Sequence, residues 1–119
     1  MQGRSVLVAE DEYFLADDLA AMLRRAGAEV VGPVATCEQA MTILEKSRRI
    51  DVAILDINLR GELVFGIADI LIARGTIVVF STGYPTELIP SRFHGVPVWR
   101  KPYRLAALQS SLQTLLQGS

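Results

Sequence analysis

Short apolar runs alternate along the chain with longer segments in which apolar positions recur every three or four residues. Ser5-Val6-Leu7-Val8-Ala9 is apolar after its first position and rich in β-branched residues, which predicts a buried strand. From Tyr13 to Ala26, Phe14, Leu15, Leu19, Met22 and Leu23 stand at helical spacing, which predicts a helix. Gly27 stands where a helix C-terminus takes a left-handed residue. Glu29–Val34 reads as a second strand, stopped by Gly32 and Pro33 near its end. Thr36 is a helix N-cap, with Gln39 three residues on completing a capping box. The helix it starts carries Ala40, Ile43 and Leu44 inward and reaches about Ser47. Val52–Leu55 is a third strand. A loop containing Gly61 leads to a helix over about Leu63–Ala73, closed by Gly75. Thr76–Ser81 is a fourth strand and Pro97–Arg100 a short fifth. Arg104–Gln117 is a last amphipathic helix, with Leu105, Leu108, Leu112, Leu115 and Leu116 on one side.

Continuously apolar strands separated by helices predict a parallel sheet covered on both faces. Right-handed crossovers leave few topologies. The expected fold is α/β, a flavodoxin-like doubly wound five-stranded parallel sheet of order 2-1-3-4-5. One connection departs from the pattern. Between Tyr84 and Val96 the chain meets Pro85, Pro90 and Gly95, with Pro97 beyond, and proline is costly inside a helix. The fourth helix is therefore expected to be short or irregular. No internal repeat or linker is visible, so residues 5–117 are expected to form one domain, with loose termini at 1–4 and 118–119.

With 119 residues, half of them hydrophobic, there is material for one buried core. A net charge of −1 argues against a nucleic-acid partner. No apolar run approaches the ~20 residues of a membrane span. The single cysteine, Cys37, forms no internal disulfide, and no signal peptide opens the sequence, so the cytoplasm is the expected location.

The chemistry concentrates at the C-terminal ends of the strands, where open parallel sheets place their sites. The first strand ends in Glu10-Asp11-Glu12, the third in Asp56-Ile57-Asn58, the fourth in Ser81-Thr82-Gly83 and the fifth in Arg100-Lys101-Pro102. Clustered carboxylates repel, and one would protonate unless a cation removed the conflict. Mg2+ is hard and takes oxygen ligands. Asp11, Asp56 and a backbone carbonyl near Asn58 offer three positions, and Glu10 acts directly or through water. Asp56 then stays ionised and can act as a nucleophile. Lys101 offers a point positive charge for phosphoryl oxygens and Thr82 a hydroxyl. Glu12 reads as a helix-start acid rather than a ligand.

This arrangement resembles the receiver domains of two-component response regulators. Their pattern is an acidic pair after the first strand, a phospho-accepting Asp after the third, Thr or Ser after the fourth and Lys-Pro after the fifth. The resemblance covers about Ser5 to Leu116. It implies a phosphorelay role: a sensor histidine kinase or histidine phosphotransfer protein gives a phosphoryl group to Asp56 with Mg2+, and the chain catalyses its own slow dephosphorylation. No DNA-binding segment follows Gln117, so a downstream output protein is the expected recipient. Phe80-Ser81-Thr82-Gly83-Tyr84, followed by Pro85, is similar to the Phe-Ala-Thr-Gly-Tyr signature of a receiver subfamily, which implies a single-domain regulator or a receiver with an atypical output and a reduced fourth helix; Ser81 replaces its Ala. Many receivers place an aromatic residue three positions before the Lys, where this chain has Val98. Tyr84, Trp99 and Tyr103 are the alternatives for reporting the state. Asn58 and Tyr84 occupy positions that tune loss of the phosphoryl group in such domains, or serve as loop filler.

Three rivals are a receiver-like interaction module that works without phosphate, a phosphatase with an aspartyl-phosphate intermediate, and a nucleotide-binding flavodoxin-like domain, against which the first strand ends in acids where a phosphate cradle takes glycines. Against the second, Asn58 stands where such phosphatases carry a second acid. His94 reads as a loop residue and Cys37 as structural. Arg24-Arg25 and Arg48-Arg49 read as solvated or helix-end cations. The Ala106-Ala107 side of the last helix could admit a partner copy, giving a homodimer.

Overall fold

The computed structural model describes residues 1–46, 48–83 and 85–117. Five strands, β1 (Ser5–Ala9), β2 (Glu29–Val34), β3 (Val52–Asp56), β4 (Ile77–Thr82) and β5 (Val98–Arg100), form one parallel sheet. Their order is β2-β1-β3-β4-β5, the doubly wound order the sequence predicts. Among the described residues four α-helices cover it: α1 (Tyr13–Arg25), α2 (Cys37–Glu45), α3 (Phe65–Ala73) and α4 (Leu105–Gln117).

Alternation along the strands divides the core. Leu7, Ala9, Ala53, Leu55, Val78 and Phe80 pack with α2 and α3. Val6, Val8, Val52, Ile54 and Val79 pack with α1 and α4. Strands buried on both faces must be apolar at every position, which explains their unbroken runs. In α4, Leu108, Leu112 and Leu116 are the buried stripe. At α2 the Thr36 hydroxyl accepts from the Gln39 N–H at 3.1 Å. The Gln39 side chain reaches back one residue further than a capping box requires, accepting from the Ala35 N–H at 2.8 Å.

Several local expectations are corrected. Of the residues at helical spacing in α1, Phe14 is 81% exposed. Ala16, Leu19, Ala20, Met22 and Leu23 form the buried face of α1. The loop before α3 is a hairpin: Asn58–Leu59 pairs antiparallel with Glu62–Leu63, so α3 begins at Phe65 and Leu63 lies outside it. Arg60 and Gly61 both have positive φ, 50° and 92°, as a two-residue hairpin turn that matches strand twist requires. Between β4 and β5 there is no α-helix among the described residues. Two single 3-10 turns, Thr86–Leu88 and Ser91–Phe93, each follow a proline. At the start of the chain the Gly3 N–H donates to Gly27 O at 3.1 Å, and Met1 packs against the α1–α4 side of the core. Ser47, Tyr84 and residues 118–119, on which parts of the sequence reading fall, lie outside the described residues.

Candidate functional site

Each candidate residue sits at, or just beyond, the C-terminal end of a central strand. Glu10 and Asp11 follow β1, and the Glu10 N–H donates to Val34 O at 2.9 Å. Asp56 is the last residue of β3 and Thr82 the last of β4. Lys101 follows β5, its N–H donating to Thr82 O at 2.8 Å across a cis Lys101–Pro102 segment.

The side chains converge. The Lys101 ammonium donates to Asp56 Oδ2 and to Glu10 Oε2, both at 3.0 Å. Glu10 Oε1 lies 2.9 Å from the same nitrogen but outside hydrogen-bonding geometry, and it has no hydrogen-bond donor among the described residues. Glu12, at the α1 N-cap, makes no side-chain cap; its Oε1 stands 3.4 Å from Lys101. Asp56 Oδ1 accepts from the Asn58 N–H at 3.2 Å. Asn58 Oδ1 in turn accepts from the Gly61 N–H at 2.7 Å. Asp11 Oδ2 accepts from the Arg60 N–H at 2.9 Å.

Burial and charge set the protonation balance. Glu10 and Asp56 are 3% and 6% exposed. Burial pushes the Glu10 carboxyl up to about 7, against the lowering effect of the Glu12 amide and Lys101. It also pushes Asp56 above the usual carboxylate range, opposed by Lys101. For Lys101 burial disfavours the ammonium, yet hydrogen bonds to Glu10 and Asp56 outweigh it and raise the group above its ordinary value. The cation therefore stays charged, and the carboxylates compete for it.

One carboxylate oxygen from each of Glu10, Asp11 and Asp56 lies within 4.8 Å of the others. An all-oxygen, strongly acidic donor set, with the buried Glu10 and Asp56 carboxylates sharing one ammonium, fits a hard divalent cation such as Mg2+. A cleft of about 220 Å³ opens onto this cluster, lined by Asp11, Glu12, Asp56, Asn58, Gly83 and Lys101. Thr82 is fully buried beside it and does not line it.

The remaining candidates fall elsewhere. Val98 packs on the α2–α3 side, opposite Phe80 in the sheet register. Trp99 and Tyr103 pack on the α1–α4 side, ring centroids 6.0 Å apart, and the Ser81 hydroxyl lies 3.4 Å from the Tyr103 hydroxyl. His94 is exposed after the second 3-10 turn. Cys37 opens α2 with its Sγ 3.8 Å from Leu63 O, and burial raises its thiol. A larger cavity, about 580 Å³, lies at the other end of the sheet. Three of its four arginines are already engaged: Arg48 with Glu29, Arg49 with Asp51, Arg74 with Leu44 O. Sequence reasoning missed Glu12 beside Lys101 and the Arg60 amide on Asp11. Only the Arg60-Gly61 pair between two strand-like dipeptides signalled the second.

A doubly wound parallel sheet with an acidic triad and a lysine facing one aspartate defines the receiver class. The chain is 36% identical to SdrG from Sphingomonas melonis Fr1, over 97% of each chain, with a TM-score of 0.79. It is 34% identical to SdrG from Pseudomonas melonis Fr1 in its BeF3-activated conformation, over 98% of this chain and 99% of that one, with a TM-score of 0.75. It is 27% identical to the receiver domain of the PhyR response regulator from Erythrobacter litoralis, over 98% and 92%, with a TM-score of 0.84. No protein-family model and no curated protein matches the chain. The chain belongs to the receiver domains of response regulators.

Proposed function

We propose that the chain is a phosphoacceptor in a two-component phosphorelay, with Asp56 as the residue that carries the phosphoryl group. The observation that supports this best is the single lysine bridging two buried carboxylates at 3.0 Å, beside a third within ligand distance. In this reading the Asp56 carboxylate attacks phosphorus in a phosphohistidine of a sensor histidine kinase or phosphotransfer protein. The O–P bond forms as the N–P bond breaks, and the imidazole leaves with its electron pair. Lys101 moves its hydrogen bond from the carboxylate to a phosphoryl oxygen, and Thr82, buried beside the cleft, turns its hydroxyl toward another as the phosphoryl group arrives. Glu10, Asp11, Asp56 and the Asn58 backbone carbonyl are the groups that would hold Mg2+, which neutralises charge on the transferring group.

Water later attacks phosphorus in the acyl phosphate; the P–O bond to Asp56 breaks, inorganic phosphate leaves and the carboxylate is regenerated, with Asn58 and Tyr84 setting the rate. Phosphorylation changes the contacts of Lys101 and so biases the β4–β5 connection, and the output is contact with a downstream protein. The cytoplasm, residues 5–117 as the functional domain and a homodimer through Ala106 and Ala107 belong to the same reading. No helix among the described residues is long and apolar enough to cross a membrane. The Phe80–Tyr84 run and the two 3-10 turns support the single-domain subfamily. The test is incubation with acetyl phosphate and Mg2+. The intact mass should rise by one phosphoryl group, and both a chelator and Asp56→Asn should abolish the gain. A gain that survives Asp56→Asn contradicts the proposal.

A further inference from the structure

We infer that the hairpin at residues 58–63 is a spacer for the cation site, and that Arg60 acts in it through its backbone amide. This inference rests on the proposed role of Glu10, Asp11 and Asp56 as the metal-holding groups.

The three carboxylates are not held alike. Glu10 and Asp56 are buried and fixed by Lys101. Asp11 is half-buried and makes no contact with Lys101; among the described residues its one hydrogen bond is from the Arg60 N–H, at 2.9 Å. The same hairpin grips Asp56 through the Asn58 N–H at 3.2 Å. It therefore bridges the ends of β1 and β3, touching one carboxylate from each. The Asn58 side chain closes it by accepting from the Gly61 N–H at 2.7 Å, so the residue that holds Asp56 also shapes the turn that holds Asp11.

The turn works only with a left-handed residue at position 60. Arg60 has φ 50°, the one non-glycine residue with positive φ among those described. That conformation aims its N–H at Asp11 Oδ2. With one oxygen occupied, the carboxylate is held in a single orientation with its other oxygen available to a cation. Groups that orient ligands in this way commonly control affinity by ~10–100-fold. The Arg60 guanidinium makes no hydrogen bond or ion pair among the described residues, so the side chain itself is dispensable here.

Two neutral substitutions separate backbone from charge. Asparagine tolerates the left-handed region, whereas a β-branched valine does not. Mg2+ titration of the full chain, followed by Trp99 fluorescence and by calorimetry, should give the same affinity for Arg60→Asn as for the wild type within about twofold. Arg60→Val should bind about tenfold more weakly, and on an Asp11→Ala background, which lacks the acceptor, Arg60→Asn and Arg60→Val should be equal. In the wild type the Arg60 amide should be protected from hydrogen exchange, and Asp11→Ala, which removes the acceptor, should lessen that protection without changing the far-UV circular dichroism. Equal Mg2+ affinity for Arg60→Asn and Arg60→Val overturns the spacer role and leaves the cation site standing. No Mg2+ binding by the wild type overturns both.

Discussion

Lys101 is the residue on which the site's electrostatics turn. It is one cation among three carboxylates, two of them buried. Replacing it by methionine strands Glu10 and Asp56 without a counter-ion, and removing one partner of a buried pair commonly costs about 3 kcal/mol. Urea denaturation at pH 8 without Mg2+ should show a loss of that size for Lys101→Met, shrinking toward pH 5 as the carboxyls take up protons. An unchanged midpoint at pH 8 would contradict the role. The Glu10 carboxyl is raised to about 7 by burial, so the folded state binds its proton more tightly than the unfolded chain. The stability from this group is full below its ordinary value of 4.5 and is lost as pH rises through about 7; Asp56 is shifted in the same direction. A cation must displace those protons. Mg2+ should bind more weakly at pH 6 than at pH 8 and release protons near pH 7, measured as a buffer-dependent enthalpy. Equal affinity at the two pH values would count against the assignment. At this scale Glu10, Asp11, Asp56 and Lys101 were legible because strand ends fix where such residues go. The Arg60 contact was not, because it depends on a backbone dihedral that an arginine rarely adopts.

The element that departs most from a regular α/β alternation is the connection from β4 to β5. Its prolines forecast the lost helix, and the 3-10 turns after Pro85 and Pro90 follow from them. The sequence pattern did not show what holds the segment. Phe93 is buried, stacked on Phe65 at 5.3 Å and edge-on to Phe80 at 5.3 Å. Arg92 lies over the Phe93 ring and pairs with Asp69 through two hydrogen bonds of 3.1 Å. Phe93→Ala should destabilise the fold by about 3–4 kcal/mol in urea. Arg92→Ala, an exposed pair, should leave the midpoint within error. If the two variants behaved alike, Phe93 would not be the anchor. The exposure of Phe14 has a simple geometric cause. Nine positions separate it from Leu23, and at about 100° per residue that puts the two on opposite sides of α1. Ala16 and Ala20, small enough to escape a stripe drawn through large residues, complete the buried face instead.

For the whole molecule, strand order and the division of the core were legible because right-handed crossovers and unbroken apolar strands leave little choice. The consequence is functional: β1, β3, β4 and β5 are consecutive in the sheet, so residues 10, 56, 82 and 101 emerge along one edge. A ligand that binds only the folded arrangement stabilises the entire chain. Mg2+ at a hundred times its Kd should add about 2.7 kcal/mol, seen as a higher Tm at pH 8 and a smaller rise at pH 6. The central claim is that this edge delivers a phosphoryl group to one side chain. It is tested most directly by phosphorylating the wild type with acetyl phosphate and Mg2+, reducing the acyl phosphate with borohydride and mapping the modified peptide. The predicted result is homoserine at position 56 and nowhere else. Conversion at Glu10 or Asp11, or a phosphorylated chain with Asp56 unmodified, would contradict it.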